Sequence, residues 1–293
     1  MKTLTAYYDL AVGPASFDVI AFLVQARQAA GSRPLHVVIV PDESGVGGQF
    51  RDKTALYDVE EMRWRLWNIV IPACQLVGAT VHLAASRQQA WDAPAADRWP
   101  ADWNKQTLRN RHHMATPLIA AGRRGVTPPR ISASKHALRK VGELYAALRK
   151  PVITLTLRST YDVARNSVTT EWRQLCDALE ADGYAVVCLQ DTDAALSSGA
   201  GFGELNLDLR MACYQLARQN VIGLNGPAVL LWYSDAPMAM FDAPVHGDAE
   251  FNAWRDLGMN TGDQLPWATA QQEIFYQRAN KANMRAGLKH LGI

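Results

Sequence analysis

Apolar residues occur along the chain in short runs that alternate with segments of helical periodicity. Near the N-terminus, a strand-forming run at 4–8 is followed by a polar turn, a helical pattern over 17–30 and a continuous apolar run at 35–40. An uninterrupted apolar run is typical of a strand in a parallel sheet whose two faces are both covered. The pattern therefore predicts two parallel strands joined by a helix, which together form a βαβ unit.

The same alternation continues through the rest of the chain. The first half is completed by a helix at 59–76, a strand at 79–84 and a helix at 135–148. The second half is predicted to contain strands at 152–157, 184–189, 220–223 and 237–241, and helices at 170–182, 205–219, 227–233 and 269–282. The prediction is an α/β protein with two Rossmann-like domains, 1–150 and 151–293. The segment 91–130, which is rich in proline and tryptophan, is interpreted as a linker within the first domain.

Composition narrows the class of protein. The chain has 293 residues, of which 48% are apolar, enough for two separate cores. Its 30 basic and 28 acidic residues are well mixed, which argues against the basic stripe of a nucleic-acid-binding protein. Apolar runs are shorter than the roughly 20 residues of a spanning helix, and the first residues lack the apolar core of a secretory signal. We expect a cytoplasmic protein, with weak association with a membrane surface left open.

Common catalytic and metal-binding motifs are missing from the sequence. There is no G-x-S-x-G, P-loop or H-E-x-x-H pattern, and the pair His112 and His113 has no spaced ligand partner. Three tryptophans, Trp91, Trp99 and Trp103, could stack on a sugar or could fill an apolar interface. Four cysteines without a C-x-x-C pair are predicted to be reduced core thiols: Cys74, Cys176, Cys188 and Cys213.

The main candidate site lies where the apolar strand 152–157 ends in Arg158. A guanidinium at the end of a buried strand costs free energy unless it faces solvent, a carboxylate or a phosphate. The sequence therefore predicts a bidentate phosphate clamp at Arg158. A salt bridge to Asp162 or Asp191 is the alternative.

The loop after Arg158 carries a second group of polar residues, namely Arg165, Asn166 and Ser167, just before a predicted helix. The first N–H groups of a helix, together with its dipole, favour an anion at that position. These residues are predicted to extend the phosphate site. Ordinary capping of the helix by Ser167 or Thr169 is the alternative.

Two further strand ends in the second half carry polar residues. Asn225 and Gly226 precede a proline at a strand-to-helix turn, where glycine permits close approach of a backbone. In one interpretation Asn225 and Gly226 face a bound ligand, and in the alternative they form only a tight turn. Asp191 and Asp193 follow the preceding strand, a position from which a carboxylate can bind ribose hydroxyls, although ordinary turn chemistry explains them equally well.

In the first half, Asp9 and Asp18 flank Gly13 and Pro14 in the first connection from strand to helix. A carboxylate in such a loop can act as a general base toward a hydroxyl. Asp9 is the preferred candidate, since Asp18 could merely lie in the first helical turn. Arg51 closes a glycine-rich loop that could fold over a substrate.

Taken together, these residues make the second half similar to the nucleotide-binding domain of a GT-B glycosyltransferase, of the bacterial heptosyltransferase-like and fucosyltransferase-like kind. The resemblance covers residues 150–285 and rests on the strand ending in Arg158, the polar loop after it, Asp191, the turn 223–227 and the segment 261–267. The usual Gly-Pro-Ser/Thr-His turn is replaced here by a sequence without histidine, Asn225-Gly226-Pro227-Ala228.

This resemblance implies two domains that face each other across a cleft and a metal-independent glycosyltransferase without a cofactor. It would transfer a sugar from a nucleotide diphospho-sugar to a hydroxyl of a glycan or small molecule. A non-catalytic sugar-nucleotide or phosphate-binding protein of the same fold and a sugar-nucleotide 2-epimerase are the alternatives. The resemblance implies that the nucleoside is bound by Asp191 and Asp193, that the acceptor lies beside Asp18 and Arg51, and that Asp9 is the general base. The diphosphate would be bound by Arg158, Arg165, Asn166, Ser167, Asn225 and Gly226.

Overall fold

The computed structural model of the chain describes residues 2–42, 59–101, 103, 115–158, 166–190, 206–248 and 250–293. The chain forms two compact units: the first contains residues up to 118 together with 128–131, and the second contains residues 119–127 and all residues from 132 onward. The helix Lys135–Leu148, which precedes the domain boundary predicted from the sequence, thus belongs to the second unit.

The first unit contains a four-stranded parallel sheet with the order β3-β2-β1-β4. Its strands are β1 (Leu4–Asp9), β2 (Leu35–Val40), β3 (Ala79–Leu83) and β4 (Arg98–Trp99). Strand β1 is buried along its whole length, as its central place in the sheet requires. The chain order reverses beside β1, because β2 lies on one side of it and β4 on the other. In open α/β sheets, ligands bind outside the carboxyl ends of the strands at such a reversal.

The described helices up to residue 122 are α1 (Val19–Ala30), α2 (Val59–Arg65), α3 (Ile71–Leu76), α4 (Arg87–Asp92) and α5 (Thr116–Gly122). Between α2 and α3, the residues Leu66–Val70 form a π-helical turn. The N–H of Ile71 donates to the carbonyl of Leu66, five residues back, and Pro72 follows without an N–H of its own. The missing donor accounts for the π turn inside a helix that the sequence pattern predicts as continuous.

The second unit contains a five-stranded parallel sheet with the order β6-β5-β7-β8-β9. Its strands are β5 (Val152–Thr156), β6 (Ala185–Leu189), β7 (Gln219–Gly223), β8 (Met238–Phe241) and β9 (Gln272–Ile274). The order reverses beside β5, since β6 and β7 lie on its two sides. The carboxyl ends of β5 and β7 therefore flank the switch point, where a ligand crevice is expected.

Helices cover this second sheet. They are α6 (Lys135–Leu148), α7 (Thr169–Ala181), α8 (Leu207–Leu216), α9 (Ala228–Trp232), α10 (Phe251–Asp256) and α11 (Lys281–His290). Side chains of α7 and α11, among them Trp172 and Met284, pack with sheet residues such as Ile153 and Phe241 in one buried cluster. The predicted two-domain α/β architecture is confirmed. Among the described helices, none combines the length and the apolar character that crossing a membrane demands.

The helix predicted at 269–282 is wrong. The chain there forms the short strand β9 and begins helix α11 only at Lys281, where Asn280 caps the helix by accepting from the N–H of Asn283 at 2.8 Å. The buried Gln272 amide donates to three carbonyl oxygens within 231–236, each at 2.9 Å. These long-range bonds hold the segment extended at the sheet edge, and local periodicity does not encode them.

All four cysteines are free thiols, as predicted, but the prediction that they lie in the core is correct for only two of them. Cys74 and Cys213 are buried free thiols, whereas Cys176 is half-buried and Cys188 is exposed. Cys188 lies on β6, which is the edge strand of the second sheet. An edge strand leaves part of its surface uncovered, so the apolar run around Cys188 does not guarantee burial.

We predict opposite effects for two glycine-to-alanine substitutions in helices. At Gly287 a Cβ would lie 2.8 Å from the buried ring of Phe241 and 3.1 Å from that of Phe275. Overpacking costs about 1–3 kcal/mol, which exceeds the gain in helix propensity of about 1 kcal/mol. At Gly142 the nearest atom to a Cβ is 3.9 Å away. Gly142→Ala should therefore raise the free energy of unfolding in urea and Gly287→Ala should lower it; equal stabilisation by both would contradict the packing of α11 on Phe241.

Candidate functional site

The carboxyl ends of β5 and β7 are joined by a side chain. Arg158 follows β5, is half-buried, and donates from Nη1 to the carbonyl oxygen of Leu224 at 2.6 Å. Leu224 directly follows β7, so this bond links the two strands at the switch point of the sheet. The bond brings Arg158 and Asn225, the residue after Leu224, to the same edge of the sheet, although 66 residues separate Arg158 from Leu224 in sequence.

Two donor groups at this edge have no hydrogen-bond acceptor in the described part of the chain. They are Nε of Arg158 and Nδ2 of Asn225, both buried, and the exposed fraction of Asn225 is 7%. A buried donor without an acceptor costs about 1–3 kcal/mol, so it calls for an explanation such as a ligand or an ordered water. This edge is therefore suited to a ligand that carries acceptor oxygens.

Asn225 also builds the turn into helix α9. Its Oδ1 accepts from the N–H of Ala228 at 3.2 Å, and its carbonyl oxygen accepts from the same N–H at 3.2 Å. Gly226 lies exposed at the tip of the turn, and Pro227 takes helical dihedral angles at the start of the helix. The Oδ1 atom of Asn225 thus stabilises the tight turn, while its Nδ2 group remains a donor without an acceptor. The two interpretations drawn from the sequence are compatible.

Ser167 closes the loop that follows β5. Its Oγ accepts from the N–H of Arg158 at 2.9 Å, and its own N–H donates to the carbonyl of Arg158 at 3.0 Å. Helix α7 then begins after Val168 without a side-chain cap. Ser167 therefore positions the backbone of Arg158 rather than capping the helix, and Asn166 lies half-buried beside it. Four other predicted site residues lie outside the described residues: Arg51, Arg165, Asp191 and Asp193.

A buried polar network lies beneath this edge. Thr154 of β5 donates to Asn220 of β7 at 2.5 Å, and Thr156 shares a hydrogen bond of 3.0 Å with the hydroxyl of Tyr214. Arg210 donates to the same hydroxyl at 3.3 Å. Buried hydrogen bonds of this kind hold the groups that form them in one arrangement. The network thus fixes β5 and β7 relative to helix α8, and with them the base of the Arg158 side chain.

Asp242 is a residue of this edge that the sequence analysis did not select. It directly follows β8, the neighbour of β7, and its backbone is left-handed with φ of 57°. Its N–H donates to the carbonyl of Gln277 at 3.0 Å, and its Oδ1 accepts from the N–H of Ala279 at 2.9 Å. The signal was available, since a polar residue directly after a strand is the rule that selected Arg158 and Asn225.

The electrostatic environment of Asp242 reflects both burial and its basic neighbours. Burial raises the pKa of its carboxyl above the ordinary value, while the N–H of Ala279 and the charges of Arg278 and Arg158 act in the opposite direction. Oδ2 of Asp242 lies 3.7 Å from the point where a Cβ on Gly223 would lie. The carboxylate therefore lies over the end of β7, within the field of Arg158.

In the first unit, Asp9 is locked in a buried ion pair at the end of β1. Oδ1 accepts from Nη1 of Arg87 at 2.6 Å and from the N–H of Ala11 at 3.0 Å. Oδ2 accepts from the indole of Trp103 at 3.3 Å, and the Asp9 side chain has no exposed surface. An acceptor hydroxyl cannot reach the carboxylate in this arrangement. The role of general base stays a prediction for Asp9, and the surroundings favour a structural role.

Asp18 is the more accessible carboxylate of the two. It precedes helix α1, is half-buried, and its Oδ2 accepts from the hydroxyl of Ser16 at 2.8 Å. The loop that carries it is pinned by Tyr8, whose hydroxyl donates to the carbonyl of Pro14 at 2.6 Å. A Cβ at Gly13 would lie only 2.8 Å from the Tyr8 ring, which explains the glycine. Burial, and to a lesser degree the charge of Asp18, raises the pKa of Tyr8 well above its ordinary value.

The three tryptophans considered for sugar stacking, Trp91, Trp99 and Trp103, pack against other aromatic rings. Trp103 is 4% exposed and stacks on Tyr7 with ring centroids 4.1 Å apart. The ring centroids of Trp91 and Trp103 are 5.9 Å apart, and those of Trp99 and Phe22 of helix α1 are 4.9 Å apart. These contacts favour the apolar interpretation of the three tryptophans over a sugar-stacking surface.

Comparison with known proteins gives a relationship at the level of structure. No protein-family model and no curated protein sequence matches the chain. The glycosyl transferase of family 9 from Veillonella parvula DSM 2008 superposes with a TM-score of 0.52 and 11% identity, over 99% of this chain and 97% of that one. The chain shares the fold of this transferase. The resemblance inferred from the sequence is thus confirmed for the two-domain GT-B architecture.

Two heptosyltransferases were also found. The Escherichia coli ADP-heptose LPS heptosyltransferase II has a TM-score of 0.48 and 11% identity, over 99% of this chain and 98% of that one. The dodecameric iron-containing heptosyltransferase TibC, solved with ADP-D-beta-D-heptose, has a TM-score of 0.48 and 16% identity, over 99% of this chain and 76% of that one.

We predict that the two carboxylates of the first unit differ in their effect on stability. Asp9→Asn leaves the buried Arg87 guanidinium without its counter-charge, which should cost about 3 kcal/mol. Asp18→Asn keeps an oxygen that can accept from Ser16 and should change stability by no more than about 0.5 kcal/mol. Urea unfolding followed by tryptophan fluorescence measures both. Equal effects would show that Asp9 is not the structural carboxylate.

Proposed function

We propose that the protein is a glycosyltransferase whose second unit binds a nucleotide diphospho-sugar at the carboxyl ends of β5 and β7. The observation that carries the proposal is the pair of buried donors without acceptors, Nε of Arg158 and Nδ2 of Asn225. A diphosphate supplies both acceptor oxygens and the negative charge that a guanidinium favours. The position at the switch point of a parallel sheet supports the same assignment.

Arg158 would hold the diphosphate with a fixed orientation. Its Nη1 is committed to Leu224 and its backbone is held by Ser167. The guanidinium therefore presents its remaining N–H groups from a defined position, which favours recognition of a planar or bidentate acceptor. As the sugar is transferred, negative charge develops on the leaving diphosphate, and a cation placed in advance stabilises it. We assign this task to Arg158, with Arg165, Asn166 and Gly226 as further proposed contacts, and expect no need for a metal ion.

For the acceptor, we propose Asp18 as the general base in place of Asp9. A base must reach the proton of the acceptor hydroxyl, either directly or through one water. Among the described residues, the Asp18 carboxylate accepts from the Ser16 hydroxyl and has no ion-pair partner, and it is half-buried rather than enclosed. Asp9, by contrast, has both oxygens engaged. The acceptor hydroxyl could belong to a glycan or to a small molecule.

A second candidate is a non-catalytic protein that binds nucleotide sugars. The replacement of the histidine turn by Asn225-Gly226-Pro227-Ala228 favours it, since a titratable side chain is lost from the turn beside the proposed diphosphate site. The two candidates share the donor site and differ in turnover. The 2-epimerase alternative stays a prediction.

The donor site is tested with Arg158→Ala. Loss of one charge-assisted contact should weaken binding of UDP, GDP or ADP, whichever the wild-type protein prefers, by about 1.5–3 kcal/mol, roughly 10- to 100-fold. Isothermal titration calorimetry measures the affinity. Arg173→Ala is the matched control, because Arg173 is an exposed arginine on helix α7 of the same unit. Unchanged affinity in folded Arg158→Ala, or an equal loss in the control, would contradict the assignment.

Catalysis is tested with Asp18→Asn. The variant should bind the preferred nucleotide diphosphate within about 2-fold of wild type, because Asp18 lies in the other unit. Release of nucleotide diphosphate from a panel of nucleotide sugars, with water or monosaccharides as acceptors, should fall about 100-fold if Asp18 is the base. Turnover that survives in Asp18→Asn would exclude this role. Binding by wild type without any turnover would favour the non-catalytic candidate.

A further inference from the structure

Asp242 is held at the candidate site in an unfavourable backbone conformation. Its φ of 57° lies in the left-handed region, which is uncommon for a residue with a side chain. Asp242 forms two hydrogen bonds with the segment after β9, one with Gln277 and one with Ala279, and these bonds impose its backbone conformation. Strain of this kind persists where the surroundings over-determine it, and it clusters at ligand sites. The arrangement places a carboxylate at the end of β8.

The hydrogen-bonding capacity of this carboxylate is only partly used. Oδ1 accepts from Ala279, whereas Oδ2 accepts no hydrogen bond in the described part of the chain and lies over Gly223. An ionised carboxylate has about four acceptor positions. Arg158 and Arg278 act on Asp242 through their charge, and among the described residues neither forms an ion pair with it. Oδ2 is therefore an acceptor without a donor, at the same edge of the sheet as the two donors without acceptors.

A carboxylate this close to a bound diphosphate must face a hydrogen-bond donor to be favourable. Like charges at short range repel, and a carboxylate contributes nothing to holding phosphate oxygens. The remaining parts of a nucleotide sugar carry hydroxyl donors, on the ribose and on the transferred sugar. Strand β8 lies next to β7, about 4.8 Å away, so a ring attached to a diphosphate at β5 and β7 reaches its end.

We propose that Oδ2 of Asp242 accepts a hydrogen bond from a ring hydroxyl of the bound nucleotide sugar and thereby selects hydroxylated ligands over bare diphosphate. This inference rests on the proposed function of the edge formed by Arg158 and Asn225. It adds a residue to the donor site on the side of β8, which is separated from β6 by β7 and β5. The shared chemistry is a ring hydroxyl, whether it belongs to the ribose or to the transferred sugar.

The test is the selectivity of Asp242→Asn among three ligands: inorganic pyrophosphate, the preferred nucleoside diphosphate and its nucleotide sugar. Asparagine keeps an oxygen for the Ala279 N–H and nearly the same volume. We expect pyrophosphate to bind equally well or more tightly, and the ligand that bears the recognised ring to lose about tenfold in affinity. A loss already present with the nucleoside diphosphate assigns the hydroxyl to the ribose, and a loss confined to the nucleotide sugar assigns it to the sugar.

Two further variants keep the result interpretable. Gly223→Ala places a methyl group at ordinary contact distance from Oδ2, 3.7 Å, and should reduce the same selectivity without disturbing the fold. Asp177→Asn removes an exposed carboxylate from helix α7 and should leave all affinities unchanged. Equal losses for pyrophosphate and nucleotide sugar, or no change for any ligand in Asp242→Asn, would overturn the role of Asp242 alone. Failure of the wild-type protein to bind pyrophosphate and all nucleoside diphosphates would overturn the donor site itself, and this inference with it.

Discussion

The bond from Arg158 to the carbonyl of Leu224 determines the arrangement of the candidate site. It joins the ends of β5 and β7 at the point where the order of the second sheet reverses. The buried network of Thr154, Thr156 and Tyr214 supports the same two strands from within the sheet. With the strand ends held together, the donors of Arg158 and Asn225 reach one place. A guanidinium that was free to rotate would not define such a site.

The two units use acidic residues for different purposes, and burial decides which. Asp9 lies inside the first unit, where only the charge of Arg87 and the donors of Ala11 and Trp103 make an ionised carboxylate tolerable. Asp18 and Asp242 are half-buried, and each carboxylate can still accept further hydrogen bonds. A carboxylate with all its donors supplied by the chain stabilises the fold, whereas one with unused acceptor positions is suited to bind a ligand or a proton.

Much of the candidate site was predictable because parallel sheets bind ligands at the carboxyl ends of their strands. Arg158, Asn225 and Asp9 were selected by this rule, with Asp18 as the second choice in the loop after Asp9, and the rule applies equally to Asp242. The rule could not rank Asp9 against Asp18, since the partners that bury Asp9 come from residues 87 and 103. It could not assign Ser167 either, because a serine before a helix can cap the helix or, as here, hold the backbone of Arg158.

The sequence by itself determined the α/β class, the two units and most of the elements, because continuous apolar runs and helical periodicity are local signals of how each segment is buried. The strand β9, the exposed Cys188 and the order of strands in each sheet were decided only by the tertiary structure. In β9, three hydrogen bonds from Gln272 to the distant segment 231–236 replace the helix that the local pattern favours. Contacts between residues far apart in sequence leave no periodic trace, and the functional edge of the second unit is built from such contacts.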